Sequence, residues 1–440
     1  MSRSRFGRAA QLWAGRLSLD AMPGFVTLLA GGAVGRLLSF ITGVVLARQL
    51  SPSAFGEFSI FFGLLIVMFE ATNFVDFTYV RYANTSAPSQ RIAHLRSALV
   101  LKCGFLLVIV AAAYPLGVAL ADAFNKPDLK GVLALALIAG ALMNVVSLKV
   151  ADYLADERFL RLTAVNTIYN LLVLVVLVLL IVVGAPLTKL LIAAVFLGAA
   201  LPVAGACFAR LYASSRPLAI EPELLRVILG FGKWLAGANV AYLLAQRLDL
   251  FILSRYAPLG EVGNYGAALR IAVLASIMTG ALPALLLPRA SRTAGSIAGA
   301  RRFTQHALGV SVVVTAVTAV VWVAVPLVVH GLLGSEYAHS IPLTRILLIG
   351  VVFAAFSTSL SQLFLADVRP RKAFYFRMIK LASVCALAFL LAPPFGARGA
   401  AWAVTASELI VLVYTLMALW PVLRHRSAVP KQDADPAPLA

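Results

Sequence analysis

The chain has 440 residues, of which 61% are hydrophobic and only 12% are charged. Ordinary soluble domains are about 45–50% apolar and about 25% charged, so this composition excludes a soluble enzyme and a disordered chain. The 37 Lys and Arg against 18 Asp and Glu give a net charge of +19. In a soluble protein this charge would suggest nucleic-acid binding. In a membrane protein it must first be tested as a signal that sets the orientation of the chain in the membrane.

Twelve apolar runs follow one another along the chain. A bilayer core of about 30 Å needs about 20 mostly apolar residues per spanning helix. In chain order the runs lie near 24–47, 55–79, 97–120, 131–153, 163–184, 187–210, 225–254, 262–287, 304–329, 341–366, 374–392 and 397–421. Pro and Gly breakers separate several of them. The sequence therefore predicts an all-α polytopic membrane protein with about twelve transmembrane helices.

The chain ends are polar and basic. Residues 1–23 place Phe6 and Trp13 among several arginines, a pattern that predicts a cytoplasmic amphipathic segment on an anionic membrane surface. A partner-binding role is the alternative. Residues 422–440 are predicted to be a cytoplasmic tail. The first apolar run is too long for a signal peptide and has no convincing cleavage site, so we expect it to remain as a span.

The basic residues are distributed unevenly about the predicted spans. With the N-terminus inside, 27 of the 37 fall on the cytoplasmic side, seven fall outside, and Arg36, Arg247 and Arg270 remain within spans. This bias follows the positive-inside rule. It predicts that both termini are cytoplasmic, and it accounts for the charge without a nucleic-acid partner.

The two halves of the chain share an internal repeat. Arg48, Gly56 and Phe58 have the same spacing as Arg255, Gly263 and Tyr265, at an offset of 207 residues. Two further matches keep nearly this offset: Leu154-Ala-Asp-Glu-Arg158 with Leu365-Ala-Asp-Val-Arg369, and Arg81 with Arg289. Six spans per half give both halves the same orientation, which predicts two parallel lobes, 24–212 and 224–421, around a central cavity. Residues 213–223 are the predicted linker.

The intramembrane arginines are the candidate substrate-binding residues. A charge at mid-bilayer costs about 2.5–3.5 kcal/mol, so such side chains face a bundle interior or water. At the repeat offset Arg247 corresponds to Phe40, one helical turn from Arg36, which puts both arginines on one face of matching helices. Arg270 adds a third cation. Arginine suits a phosphate or pyrophosphate. The alternative is internal pairing, with Glu70 or Asp76 as partners for Arg36.

Several carboxylates also fall within spans. Glu70, Asp76 and Asp249 are candidates for binding a coupling ion, with helix-to-helix hydrogen bonding as the alternative. The three cysteines are isolated, and no metal-ligand spacing, phosphate-binding loop or nucleophile motif occurs. The sequence predicts no catalytic residue, no metal and no cofactor.

The repeat segments also carry a family resemblance. Ala47 to Phe58, Gln246-Arg247-Leu-Asp249 with Glu261-Val-Gly263-Asn-Tyr265, Leu287-Pro288-Arg289 and Gly396-Ala-Arg-Gly399 resemble segments of the Wzx-type polysaccharide-export flippases. These belong to the multidrug/oligosaccharidyl-lipid/polysaccharide exporter superfamily. The family often has Asp-x-Gly near the end of the second helix, whereas this chain has Asp76-Phe-Thr.

The resemblance implies a twelve-helix, two-lobed flippase that moves an undecaprenyl-pyrophosphate-linked oligosaccharide across the cytoplasmic membrane, by alternating access and without enzymatic chemistry. It implies that Arg36 and Arg247 engage the anionic part of the substrate. The expected partners are this lipid-linked oligosaccharide and membrane lipids, together with a polysaccharide polymerase and glycosyltransferases. The alternatives are a cation-coupled multidrug exporter of the same superfamily and an integral-membrane glycosyl- or acyltransferase.

Overall fold

A computed structural model describes residues 22–84, 88–215, 237, 239–293, 297–366 and 370–424, and these residues form helices and connecting turns without a strand. The α-helices are α1 (Met22–Gln49), α2 (Pro52–Glu70), α3 (Asn73–Ala83), α4 (Pro88–Ala123), α5 (Lys130–Ala155), α6 (Phe159–Val182), α7 (Lys189–Ser214), α8 (Leu248–Tyr256), α9 (Leu259–Thr293), α10 (Ile297–Val328), α11 (Ser340–Ala366) and α12 (Pro370–Arg424). The prediction of an all-α membrane protein is confirmed.

Local sequence signals set several helix ends. Ser51 caps α2 by accepting a hydrogen bond from the Ala54 backbone N–H, and Pro52 occupies the first helical turn, where its missing N–H costs nothing. Thr188 caps α7 in the same way. Gly184 follows α6 with a φ of 75°, in the left-handed region that ends many helices.

Ten helical stretches among the described residues are long and apolar enough to cross a membrane. The last, Phe376–Trp420, is interrupted at Gly396, whose φ of 55° and ψ of −136° are not helical. Lys380 and Glu408 form an ion pair at 2.6 Å across this break, so the two halves of α12 lie side by side as two passes. Of the predicted seventh span, 225–254, residues 225–236 and 238 lie outside the described residues.

Two predicted spans are discontinuous. The second, predicted at 55–79, consists of α2 and α3 with a break at Ala71 and Thr72. Helical residues 239–245 precede a turn at Gln246 and Arg247, after which α8 begins. Broken helices are tolerated at membrane depth only where other groups satisfy the freed backbone. The Asn239 side-chain amide provides one such contact, since it donates to the Glu70 carbonyl at the end of α2 (3.0 Å).

Helices α1–α7 pack mainly on one another, as do α8–α12; we refer to these groups as the N-terminal and C-terminal lobes. The lobes meet chiefly along α2 and α9. One continuous core of buried residues joins both lobes at this contact, including Phe55 and Phe58 of α2 and Val262 and Tyr265 of α9. The lobe boundaries given above remain predictions, and most of the linker 213–223, the segment 1–21 and the tail from 425 lie outside the described residues.

The structure corrects the charge count in one respect. Lys102 is one of the 27 basic residues counted on the cytoplasmic side, but it is fully buried in α4 and forms an ion pair with Asp76 at 2.8 Å. The predicted third span, 97–120, already contained position 102, so the assignment contradicted the span prediction. The number of cations within the membrane was therefore underestimated.

Candidate substrate cavity between the lobes

An open cavity lies where α1 and α2 face α8 and α9. Its walls come from both lobes: Arg36, Ser39, Phe40, Ser59, Phe62, Gly63, Ile66, Arg247, Leu250, Gly266, Leu269, Arg270, Val273, Leu274 and Ile277. The three arginines predicted from sequence thus line one cavity, and no carboxylate stands among the residues of its wall. Phe40, the repeat counterpart of Arg247, lines it as well. The arrangement is a positive, partly apolar space.

Arg247 sits at the break in the seventh span. It is the residue immediately before α8, with φ −138° and ψ −10°. Its Nε is buried without a hydrogen-bond partner, and no described residue accepts a hydrogen bond from its guanidinium. Asp249, two residues away, instead accepts a hydrogen bond from the Tyr265 hydroxyl. Because the nearest carboxylate is occupied elsewhere, Arg247 presents unused donors to the cavity.

Arg36 reaches the cavity from α1. Its side chain is exposed, and its guanidinium lies over Gly280 of α9, 3.9 Å from the position that a Cβ would take there. Within the described part of the chain it makes no hydrogen bond or ion pair. Of the two partners considered for it from sequence, Asp76 pairs with Lys102 and Glu70 makes no contact with it. Neither predicted pairing of Arg36 is present among the described residues.

Arg270 differs from the other two arginines because it is held by the opposite lobe. Its guanidinium stacks over Phe62, Phe58 and Phe55 of α2, with distances of 4.6, 4.9 and 5.7 Å to the ring centroids. It also donates to the Ser39 carbonyl (3.3 Å). Cation–π contacts in a desolvated setting contribute up to about 2 kcal/mol. Arg270 both lines the cavity and ties α9 to α2.

Glycine makes room for this arginine. A Cβ at Gly43 of α1 would collide with the Arg270 guanidinium. Sequence reasoning identified Arg270 but missed Gly43 and the phenylalanines. The repeat motif could have pointed to Phe58, because Phe58 is the aromatic residue of its first copy. The counterpart in the second copy, Tyr265, donates a hydrogen bond to Asp249.

The three candidate coupling carboxylates have different surroundings. Asp76 is bound by Lys102 and by the Ser147 hydroxyl (2.7 Å). Asp249 is bound by Tyr265. Glu70 is half-buried, and its side chain has no hydrogen-bond partner among the described residues, although it lies within electrostatic range of Arg247. Glu70 is thus the least committed of the three.

Lys102 forms the centre of a separate polar cluster inside the N-terminal lobe. Its ammonium lies 2.8 Å from Asp76 Oδ2, 2.6 Å from Ser147 Oγ, and 2.9 and 3.0 Å from the backbone and side-chain oxygens of Asn144. Thr72 donates to the same Asn144 side-chain oxygen. An ammonium has three donors, so this charge is saturated. Among the described residues no His, Cys, Asp and Glu side chains group as a metal site would require.

The fold is similar to that of several solved membrane transporters. The structure superposes on the solved lipid II flippase MurJ in its inward closed conformation with a TM-score of 0.73, at 14% identity over 90% of this chain and 87% of that one. A multidrug resistance MATE family transporter in its inward-facing conformation gives a TM-score of 0.76, at 13% identity over 89% and 96% of the two chains. A MOP superfamily transporter from Pyrococcus furiosus gives 0.64, at 12% identity over 90% and 94%. The chain therefore has the fold of these transporters.

The sequence itself places the chain in a family. The model of the polysaccharide biosynthesis protein family matches residues 22–294, which include α1 to α9. The chain belongs to this family, and the resemblance drawn from its repeat motifs is confirmed. No curated protein matches the sequence.

Proposed function

We propose that the protein is a flippase for an undecaprenyl-pyrophosphate-linked oligosaccharide, working by alternating access in polysaccharide biosynthesis (O-antigen, capsule or exopolysaccharide). The single observation that carries the proposal is the inter-lobe cavity, whose described lining residues include three arginines and no carboxylate. A pyrophosphate bears at least two negative charges, and the guanidinium groups of Arg36 and Arg247, which no described residue binds, have donors that can bind it. The family membership supports polysaccharide biosynthesis as the setting.

The proposal gives each side chain a distinct task. Arg247, fixed at the start of α8, would bind the pyrophosphate in a water-accessible space that the apolar wall partly desolvates, which strengthens charge-assisted hydrogen bonds. Arg36 would approach from the other lobe, so that one headgroup links both lobes. The lipid tail would stay in the bilayer while the headgroup crosses. No bond is made or broken, so we propose a transporter and not an enzyme.

The topology and coupling belong to the same proposal. The charge bias supports placement in the cytoplasmic (inner) membrane with both termini cytoplasmic. Glu70 is the carboxylate that we retain for ion coupling, because its side chain has no hydrogen-bond partner among the residues that the structure describes. A polymerase and glycosyltransferases would act as pathway partners, since a flipped oligosaccharide must first be assembled and then joined.

The experiment compares Arg36→Ala and Arg247→Ala with an arginine outside the cavity. Each variant is expressed in a strain that lacks the chromosomal copy, and polymer production is measured at matched membrane levels. We expect both variants to lose at least nine-tenths of the polymer. Arg161→Ala is the matched control, because Arg161 is exposed and lies on α6 away from the cavity. Full polymer production in both cavity variants would exclude the cationic site.

The multidrug exporter is the second candidate, favoured by the likeness to a MATE fold. A cavity for cationic drugs should carry acidic side chains, whereas this one carries arginines. Drug-resistance profiles of the deletion strain separate the two functions. We expect unchanged resistance together with lost polymer; sensitivity to cationic drugs with normal polymer would favour the exporter.

A further inference from the structure

The two copies of the repeat motif meet at one end of the lobe interface. A Cβ on Gly56 of α2 would collide with the Leu259 carbonyl, and a Cβ on Gly263 of α9 would collide with the Pro52 carbonyl. The two glycines are repeat counterparts, so the contact has approximate two-fold symmetry. The backbones approach this closely only because both positions lack a side chain. The charge distribution predicts that this end of the molecule faces outward.

The repeat arginines cross between the lobes at the same end. Arg48, at the end of α1, donates through Nε to the Leu332 carbonyl of the C-terminal lobe (2.8 Å) and through Nη2 to the Gly331 carbonyl. Arg255, its counterpart, donates to the Ala123 carbonyl of the N-terminal lobe (2.7 Å). Ala123 and Gly331 are themselves separated by 208 residues, nearly the repeat offset. We call these two contacts the arginine clasps.

Each clasp satisfies groups that a helix leaves free. Ala123 is the last residue of α4, and Gly331 lies in the π-helical segment Val329–Leu333 that continues α10. The final carbonyls of a helix have no intrahelical donor and carry the negative end of its dipole, so an arginine there is favourable. The Tyr337 hydroxyl also donates across to the Leu50 carbonyl (3.0 Å). The outer edge of the lobe interface is thus held by directional hydrogen bonds, and the close contact of Gly56 with Gly263 lies behind them.

The cavity begins directly behind this contact. Ser59 and Gly266, one turn further along α2 and α9, both line the cavity, and a Cβ at Gly266 would collide with Ser59. At the opposite end α3 packs on α4 and α5 of its own lobe. Separation of the lobes at the repeat motif would therefore join the cavity to the outer side.

We propose that the arginine clasps and the contact of Gly56 with Gly263 form the outer gate of the transporter. Breaking both clasps is the step that exposes the cavity outward. The repeated motif is thus retained in both halves because each copy supplies half of the same closure. The inference rests on the proposed alternating access, but its first test needs no substrate.

The first test measures access to the cavity from outside. Ile277→Cys, in a background with Cys103, Cys207 and Cys385 replaced by Ala, is labelled with a membrane-impermeant maleimide applied to intact cells. We expect Arg48→Gln and Arg255→Gln each to raise the labelling rate several-fold, and the double variant to raise it more. Lys130→Gln is the control, because Lys130 is an exposed cation at the same end without a cross-lobe contact. An unchanged rate in the double variant would overturn the proposal.

The second test locks the gate. A Cβ at Gly260 would lie 3.5 Å from Ser53 Oγ, so Ser53→Cys with Gly260→Cys is placed to form a disulfide between the lobes. Oxidation should abolish polymer production or transport in vesicles, and reduction should restore it. Gly350→Cys with Thr405→Cys is the control within one lobe, since a Cβ at Gly350 would lie 3.6 Å from the Thr405 Cβ. Its oxidation should leave transport intact. Undiminished transport by the locked protein would overturn the gate.

The two tests separate this inference from the proposed substrate. If labelling responds to the clasp variants while the cavity arginines prove dispensable for polymer production, the proposed gate is supported and the proposed substrate is wrong. If polymer depends on Arg36 and Arg247 while labelling and cross-linking have no effect, the substrate stands and the gate is wrong.

Discussion

Lys102 is fully buried in the N-terminal lobe and Arg247 is half-buried in the C-terminal lobe, and the surroundings of these two cations are opposite. Lys102 is surrounded by four oxygen atoms of Asp76, Asn144 and Ser147 within 3.0 Å. Arg247 has a buried Nε without an acceptor and borders an open cavity. A buried charge whose donors are all used stabilises the protein's own fold, whereas one with unused donors on a cavity is available for a ligand. The contrast separates a structural cation from a binding one.

The three cavity arginines can be ranked in the same way, by how far the protein itself already contacts the guanidinium group. Arg270 is enclosed by aromatic rings and a carbonyl, so it lies between the two extremes. Arg36 and Arg247 have free donors on the cavity side. The following substitutions test the distinction, beginning with the largest expected effect.

Lys102→Ala should cause the greatest loss of stability. It leaves the Asp76 carboxylate buried without its counter-ion, and removing one partner of a buried pair costs about 3–5 kcal/mol. Thermal unfolding of the purified protein in detergent measures the effect. The double variant Lys102→Ala with Asp76→Ala removes both charges and should recover a large part of the loss. If Lys102→Ala were as stable as the wild type, Lys102 would not stabilise the fold.

Arg247→Gln should show the reverse pattern. Because no described residue accepts a hydrogen bond from the Arg247 side chain, we expect the unfolding free energy to change by no more than about 1 kcal/mol. Polymer production should nevertheless fall at least tenfold. Measuring both quantities on one preparation distinguishes binding from folding. A large loss of stability with unchanged transport would reverse the assignment of the two cations.

Gly43→Ala should have an intermediate effect. Its methyl group would occupy the space of the Arg270 guanidinium, and overpacking of this kind costs about 1–3 kcal/mol. We expect a lower melting temperature and reduced transport. Gly32→Ala on the same helix is the matched control, because nothing lies within 4 Å of the added Cβ, and it should be neutral or slightly stabilising. Equal behaviour of the two variants would contradict the placement of Arg270.

Glu70→Gln should produce the smallest change. It removes the carboxylate within electrostatic range of Arg247, so the affinity for a pyrophosphate headgroup should rise a few-fold. Transport should fall if Glu70 carries the coupling ion. Glu57→Gln provides the comparison, since Glu57 pairs with Lys189 at 3.0 Å away from the cavity wall and its loss should leave the affinity unchanged. A weaker affinity in Glu70→Gln would show that Glu70 helps to build the site.

The sequence predicts the architecture well because membrane spans are set by simple rules. Hydrophobic length gives the helices, and the repeat offset brings Arg36 and Arg247 to one cavity. The breaks at Thr72 and Arg247 are not predictable in this way, since they depend on contacts such as that of Asn239 with Glu70. Lys102 was misassigned because charge counting treats a lysine near a span end as a loop residue, whereas only its tertiary neighbours make its burial favourable.

The central claim is that Arg36 and Arg247 bind a pyrophosphate headgroup between the lobes. The most direct measurement is equilibrium binding of a polyprenyl pyrophosphate, against the uncharged polyprenol, to the purified protein in lipid nanodiscs. Each charge-assisted hydrogen bond contributes about 1.5–3 kcal/mol, so Arg36→Gln and Arg247→Gln should each weaken pyrophosphate binding at least tenfold and leave polyprenol binding unchanged. Equal pyrophosphate affinity in the wild type and in both variants would contradict the claim.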